Sequence, residues 1–288
     1  MSYDPKPTQF PFPEDTSTHY LPVPIKVHTV FDENYPYVDK SKGFKFKRFW
    51  FNFVLRVLVF LIVRIRLNLR INGKKNLKTH KKLLKNGCVT VCNHIHMWDF
   101  LGIMTATNNT HFGILAWPTN ILGPNRKMIR MIGGIPVPDT NLKAYKKWHN
   151  DVMDLLNDGK WLHVYAEGSM WEFYKPIRPL KDGGFRFAIE ANKPVLPMAY
   201  SYRENGWIRK KIFKSPASLT LNIGEPMFAP DIPDKKLQRE TFMKQVHAKM
   251  CELADIDPKE NIYEPIYNNS KRIDYYTDKY GEGYKTSW

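Results

Sequence analysis

The sequence predicts an α/β protein, a single domain with a mixed central sheet flanked by helices, plus an N-terminal amphipathic helix. Three observations carry this reading. Apolar, β-branched runs at 88–92 (CVTVC), 161–165 (WLHVY), 194–200 (PVLPMAY) and 218–223 (SLTLNI) have strand character. Between and after them, apolar residues recur at helical spacing, so strands and helices alternate along the chain, the pattern of a layered α/β domain. With 288 residues, 43% of them hydrophobic and 14% aromatic, the chain has enough apolar material to close such a core.

Residues 1–43 carry Pro5, Pro7, Pro11, Pro13, Pro22, Pro24 and Pro36, too many breakers for a helix or central strand, and read as an extended arm. Residues 44–66 follow with FWFNFVLRVLVFLIV at 49–63, which is shorter than the roughly 20 residues of a spanning helix and is interrupted by Asn52 and Arg56. Lys45, Arg48, Asn52 and Arg56 fall on one side at helical spacing and aromatic and aliphatic residues take the rest, the pattern of a helix lying in the plane of a membrane. Residues 67–255 form the predicted domain. LNLRING is a strand and turn, 141–158 a helix on Tyr145, Trp148, Val152, Leu155 and Leu156 stopped by Gly159, 185–191 a short helix, and Phe242, Val246, Met250 and Leu253 mark a last one. The tail, 256–288, has no apolar period and is expected to wrap the domain or hang loose.

Lys and Arg number 44 against 28 Asp and Glu, a formal charge of +16 that attracts anionic partners such as lipid headgroups, acidic proteins or nucleic acid. No nucleic-acid-binding signature accompanies the basic residues, so no nucleic-acid partner is expected. Cys88, Cys92 and Cys251, few and odd in number, suggest reduced thiols in a cytoplasmic setting. The polar, Pro-containing start shows no signal peptide.

Chemistry is concentrated where the strand at 88–92 ends, in Asn93-His94-Ile95-His96-Met97-Trp98-Asp99. On an ideal helix an offset of five rotates the second side chain by about 140°, so His94 and Asp99 meet only if His94 lies in the turn before a helix that starts near Trp98. Given that turn, Asp99 can accept from one imidazole nitrogen and leave the other to take a proton from an alcohol, as in a serine-protease triad with the substrate's hydroxyl in place of the serine. Cys92, His94, His96 and Asp99 are also metal-ligand types, but no further ligand pattern stands elsewhere and no metal is expected.

The His-x-x-x-x-Asp motif after Asn93 resembles the PlsC-type glycerolipid acyltransferases, including the 1-acyl-sn-glycerol-3-phosphate acyltransferases. The resemblance continues in order through Gly133-Gly134-Ile135-Pro136-Val137, through Ala166-Glu167-Gly168-Ser169, where the family has Pro-Glu-Gly-Thr, and through 179–197 to Ile223-Gly224-Glu225-Pro226. It spans about residues 50–250. It implies an O-acyltransferase of phospholipid synthesis with His94 as general base and Asp99 as its orienting partner. It also implies that Glu167, Gly168, Ser169 and Asn93 contribute to substrate binding. The donor would be acyl-CoA or acyl-ACP, with no bound cofactor, and the partners membrane lipids and the donor's coenzyme A or acyl carrier protein. The place would be the cytoplasmic face of the cell membrane, as a peripheral or monotopic protein.

The first acceptor so implied is 1-acyl-sn-glycerol-3-phosphate, yet three positions that are usually basic in the family's phosphate binders hold Trp117, Asp139 and Met170. Either Arg126, Lys127, Arg130, Arg178 or Arg186 meets the phosphate from another direction, or the acceptor is a lipid hydroxyl without a phosphate. A non-catalytic lipid- or nucleic-acid-binding protein is the remaining alternative.

Overall fold

The computed structural model describes residues 3–7, 9–19, 21–107, 112–267 and 284–285. A short strand β1 (Gln9–Phe10) lies in the arm and pairs antiparallel with β9 (Tyr284–Lys285). Next come α1 (Lys42–Val54), a π-helical turn (Leu55–Val59), α2 (Phe60–Leu67), β2 (Arg70–Asn72), α3 (Lys74–Thr79), α4 (Lys81–Leu84), β3 (Cys88–Val91) and α5 (Asp99–Thr107). β4 (Gly113–Ala116), α6 (Pro118–Leu122), α7 (Arg126–Ile132), β5 (Gly134–Pro136), α8 (Leu142–Asn157) and β6 (Trp161–Val164) follow. The domain ends with α9 (Gly183–Glu190), β7 (Val195–Arg203), α10 (Trp207–Phe213), β8 (Ser218–Ile223) and α11 (Lys235–Leu253).

Seven strands form one sheet in the order β2-β8-β7-β3-β6-β4-β5. Only the β7–β8 pairing is antiparallel, so β2 and β8 run against the other five and the sheet is mixed, as predicted. β3 is central, and its four residues are all buried, which explains why CVTVC reads as a continuous apolar run and not an alternating one. Alternate residues of β7 feed opposite layers. Val195 and Ala199 join Trp148, Phe185, Phe242 and Met250 from α8, α9 and α11. Leu196, Met198 and Tyr200 join Leu101 and Met104 of α5 and Leu67 of α2 on the other face. The three cysteines are free and buried.

The arm is extended, as its prolines require, but it is packed down. Tyr37 is fully buried and donates to the Phe31 carbonyl at 2.7 Å, and Arg130 of α7 donates to the carbonyls of Tyr37 (3.0 Å) and Pro36 (2.8 Å). Further back, Phe12 stacks on Trp171 with ring centroids 4.8 Å apart. In the tail, Leu180 donates its N–H to Pro265 and Tyr267 returns one to Leu180, so residues up to 267 do wrap the domain. Residues 268–283 and 286–288 of the tail lie outside the described residues.

The helix expected at 44–66 is present, but Arg48 and Asn52 of its polar edge point inward while Lys45 is exposed. Asn52 is 1% exposed and donates to the Met131 carbonyl at 3.1 Å, while Arg48 donates to Phe112 (2.5 Å) and Ile132 (3.3 Å). Met131 and Ile132 close α7, so these side chains cap carbonyls that the end of that helix leaves free. Leu55, Phe60, Val63 and Leu67 pack on the same inward side, and Phe46, Phe49, Trp50, Phe53, Val57, Leu58, Leu61, Ile62 and Ile65 are exposed. The exposed pairs recur every four residues, a spacing that on a regular α-helix drifts by about 160° over the sixteen residues from Phe49 to Ile65. The π turn absorbs one residue and returns about 100° of that drift, keeping the stripe on one side.

Two stability predictions follow from this packing. Gly133, at φ 109°, sits where a Cβ would strike the Phe112 carbonyl and the Arg48 guanidinium. Gly133→Ala should therefore cost at least about 2 kcal/mol of unfolding free energy in a denaturant titration, and an unchanged midpoint would contradict the packing. Burial lowers the imidazoles of His96 and His247 to about 4 and that of His163 to about 3. Each is neutral when folded but protonates near its ordinary 6.5 when unfolded. The unfolded chain thus binds more protons below pH 6.5, and stability falls as pH drops from there toward about 4. The thermal midpoint should decline steadily over that window, with a shallower slope in His247→Gln; a flat profile down to pH 5 would show that these rings are not held neutral.

Candidate active site

β3 and β6 are parallel neighbours, so the loops that follow them leave the same edge of the sheet side by side. Crevices at the carboxyl ends of strands are where open α/β sheets commonly hold ligands. The first loop carries His94 and the second Glu167, Gly168 and Ser169. His94 lies in the turn before α5 and Asp99 is that helix's first residue, the arrangement that the spacing of the motif requires. The His94 Nδ1 to Asp99 Oδ2 distance is 2.8 Å.

Asp99 is gripped from several sides. Its Oδ2 also accepts the N–H groups of Ile95 (3.0 Å) and His96 (3.2 Å), and its Oδ1 accepts the Tyr165 hydroxyl at 2.5 Å. Burial works to raise this carboxyl, but the His94 charge and hydrogen bond, then Tyr165 and Ile95, outweigh it and hold Asp99 below the usual carboxylate range. The backbone bonds fold the turn around the carboxylate, so the group that orients the imidazole also shapes the loop that carries it. Tyr165 lies flat on His94, with ring centroids 3.8 Å apart and planes 12° from parallel. Burial, then Asp99, pushes the Tyr165 phenol well above its ordinary value, so it stays a hydrogen-bond donor. His94 keeps 24% of its side-chain surface, and among the described residues no hydrogen bond engages its Nε2.

His94 borders a cavity of about 410 Å³ lined mostly by apolar groups, among them Trp98, Phe100, Leu115, Trp117, Met128 and Ile129. Gly168 and Ser169 also line it, as does Met170. Gly168 adopts φ 83°, a left-handed turn that brings this loop back toward the sheet and that glycine enters without strain. The opposite wall comes from the arm. His19 stacks on Trp117 at 3.7 Å between centroids, and residues 21–24 continue the wall. Burial, then Lys181, His94 and Arg178, lowers His19 to about 4, so it faces the cavity as a neutral ring. Met128, Ile129 and Ile132 of α7 complete the side nearest α1.

Two residues expected to bind substrate sit elsewhere. Asn93 is buried beside β7, where its Oδ1 accepts the Tyr200 N–H at 2.8 Å and its Nδ2 donates to the Tyr200 carbonyl at 3.2 Å. Glu167 is also buried and turned into the protein. It accepts the His94 N–H (3.1 Å), the Arg178 N–H (2.9 Å) and the Arg178 guanidinium (2.9 Å). Neither side chain lines the cavity; both position the loop that holds His94. Cys92 points into the core, and among the described residues no His, Cys, Asp and Glu group has the geometry to hold a metal ion. His96 accepts the Trp98 N–H at 3.1 Å and serves the turn.

None of the five basic residues considered for a phosphate lines the cavity. Arg178 is committed to Glu167, to Ser169 and to the Thr16 carbonyl, Arg130 to the arm, and Arg186 to Asp182. Asp139 is exposed and also absent from the lining. Tyr165 and His19 were missed from sequence, and Arg178 was expected only as a phosphate ligand. Tyr165 alone had a signal, as the polar-tipped aromatic that ends an apolar strand next to Ala166-Glu167-Gly168-Ser169.

A family model described as Acyltransferase matches residues 68–201, the stretch that contains His94, Asp99, Tyr165 and the 167–169 turn. The chain is also similar to the crystal structure of the 1-acyl-sn-glycerophosphate (LPA) acyltransferase PlsC from Thermotoga maritima. The two are 17% identical, with a TM-score of 0.47 and coverage of 75% of this chain and 84% of that one. Over residues 68–201, which carry the His94–Asp99 pair at the mouth of an apolar cavity, the chain is similar to the acyltransferase family.

Proposed function

We propose that this protein transfers a fatty acyl group from a thioester, acyl-CoA or acyl-ACP, to a lipid hydroxyl on the cytoplasmic face of a membrane, in phospholipid synthesis. The observation that carries the reading is the His94 ring, fixed through Nδ1 by a buried carboxylate and open at Nε2 beside an apolar cavity. Nε2 takes the acceptor's hydroxyl proton as the oxygen attacks the thioester carbonyl. The tetrahedral intermediate then expels the thiolate, which recovers that proton from the imidazolium. Asp99 stabilises the charged ring between the two transfers. Each step uses groups of this chain and the two substrates and calls on no bound cofactor. The outward apolar stripe of α1 and α2 would seat the protein in the headgroup region. No helix among the described residues is long and apolar enough to cross a membrane, which agrees with an in-plane role.

1-Acyl-sn-glycerol-3-phosphate is the first acceptor to test, with Lys181, whose side chain lies against Gly168, as a cation beside the turn that is not committed to Glu167 as Arg178 is. A second reading, a phosphate-free lipid alcohol, is favoured by the lining itself, which includes no Lys or Arg among the described residues. A phosphate pressed into such a wall would lose its hydration without charge-assisted partners.

The test is acyl transfer from a labelled thioester to lysophosphatidic acid, other lysophospholipids and phosphate-free lipid alcohols. His94→Ala should lower the rate at least about 1,000-fold with the thermal midpoint unchanged, and Asp99→Asn by about 100-fold or more. Wild-type rates in both would remove the mechanism. Phosphate-bearing acceptors outrunning the alcohols would favour the first acceptor class, the reverse order the second, and no transfer to any acceptor would point to a non-catalytic lipid-binding protein.

A further inference from the structure

β7 and β8 are antiparallel neighbours, and the connection between them is not a tight hairpin but residues 204–217, which carry α10. The connection is cinched at its base. Asn205, 3% exposed, donates to the Ser215 carbonyl at 2.8 Å and accepts from the Ser218 hydroxyl. α10 is thus held out from the sheet on a closed stalk.

No residue of α10 is buried. Trp207 is 75% exposed, Ile208 52% and Ile212 64%. At about 100° per residue these three, with Lys211, share one arc of roughly 140°, and Arg209 and Phe213 occupy the other side. Arg209 lies over the Phe213 ring at 4.6 Å and donates to the carbonyls of Ile65 and Arg66, the latter at 2.9 Å. Those carbonyls belong to the last turn of α2, so Arg209 caps that helix end and ties α10 to the end of the outward apolar stripe. Arg64 and Arg66 in the last turn of α2, and Lys210, Lys211 and Lys214 on and just after α10, are exposed, and Glu204 pairs with Lys210 at 2.7 Å.

We infer that α10 is a second membrane-docking element, which together with α1 and α2 forms one surface for an anionic lipid monolayer. Trp207, Ile208 and Ile212 enter the headgroup boundary, and these exposed basic residues meet lipid phosphates. A soluble protein partner would find an apolar arc broken by Lys211 and ringed by cations, whereas an anionic interface satisfies both features. Contacts at two separated points fix the protein's rotation on the membrane as well as its depth, which a single in-plane helix cannot do. The inference rests on the membrane seat proposed above for α1 and α2, and the test separates the two.

The full chain is mixed with vesicles of phosphatidylcholine alone or with 30 mol% phosphatidylglycerol, and binding is read by flotation. Wild type should float with the anionic vesicles. The triple variant Trp207→Ser, Ile208→Ser, Ile212→Ser should bind at least about tenfold more weakly, as should Phe49→Ser, Trp50→Ser, Phe53→Ser. The α10 variant should keep wild-type transfer to a detergent-dispersed acceptor. In parallel, lipids brominated on their acyl chains should quench wild type more than Trp207→Phe, a readout that needs no destabilising change. Loss of binding only in the α1 variant, with equal quenching of wild type and Trp207→Phe, would overturn the role of α10 and leave the α1–α2 seat standing. No flotation of wild type would overturn both.

Discussion

A single buried carboxylate, that of Glu167, holds the active-site end of this protein together. It accepts hydrogen bonds from the His94 main chain, the Arg178 main chain and the Arg178 guanidinium, and so joins the loops that follow two neighbouring strands. Arg178 extends the connection to Ser169 and, through the Thr16 carbonyl, to the arm. Both charges are almost fully buried, so removing either would strand the other in a low-dielectric interior, a change that typically costs about 3–5 kcal/mol. The turn that presents His94 is therefore fixed twice, from outside by Glu167 and from within by the Asp99 carboxylate that collects its N–H groups. A general base whose ring and backbone are both immobilised needs little reorganisation when it takes a proton.

Arginine does similar work elsewhere, and this changes the meaning of the basic composition. Arg48 and Arg209 cap the last carbonyls of α7 and α2, Arg130 binds arm carbonyls, and Arg203 donates to those of Asn68 and Leu219. Burial, then Arg130, lowers Arg48 only to about 10, so it remains charged while it does this. The planar, multiply donating guanidinium suits the bunched carbonyls at helix ends and irregular turns. Part of the formal charge of +16 is thus internal bonding, and the field offered to anionic partners comes from the lysines and the arginines left at the surface.

Much of the fold was legible where periodicity is strong. The strands at 88–91, 161–164, 195–203 and 218–223 and the long helices α8 and α11 fall where the apolar pattern puts them. β4 and β5 were not legible, since Gly113–Ala116 and Gly134–Pro136 are too short and glycine-bearing to stand out. The His94–Asp99 pair could be read because both residues belong to one turn. The roles of Glu167, Arg178 and Tyr165 could not, since each also binds a partner far away in sequence, His94, Thr16 and Asp99 respectively. Nor could the direction of the polar edge of α1, because carbonyls left open at the end of α7 become visible only once the two helices are brought together.

His19 and residues 21–24 belong to the arm, outside the 68–201 stretch that the acyltransferase model matches, yet they close one side of the cavity beside His94. The candidate catalytic pair and the shape of the space beside it are thus encoded in separate stretches of the chain. Two proteins alike throughout the shared block could present their base to quite different chambers if their leading segments diverged. Here the arm contributes a neutral imidazole laid against an indole, a flat and uncharged panel. The shape of that space can therefore change by rewriting a proline-rich lead-in, with no revision of the sheet, the turn or the His94–Asp99 pair.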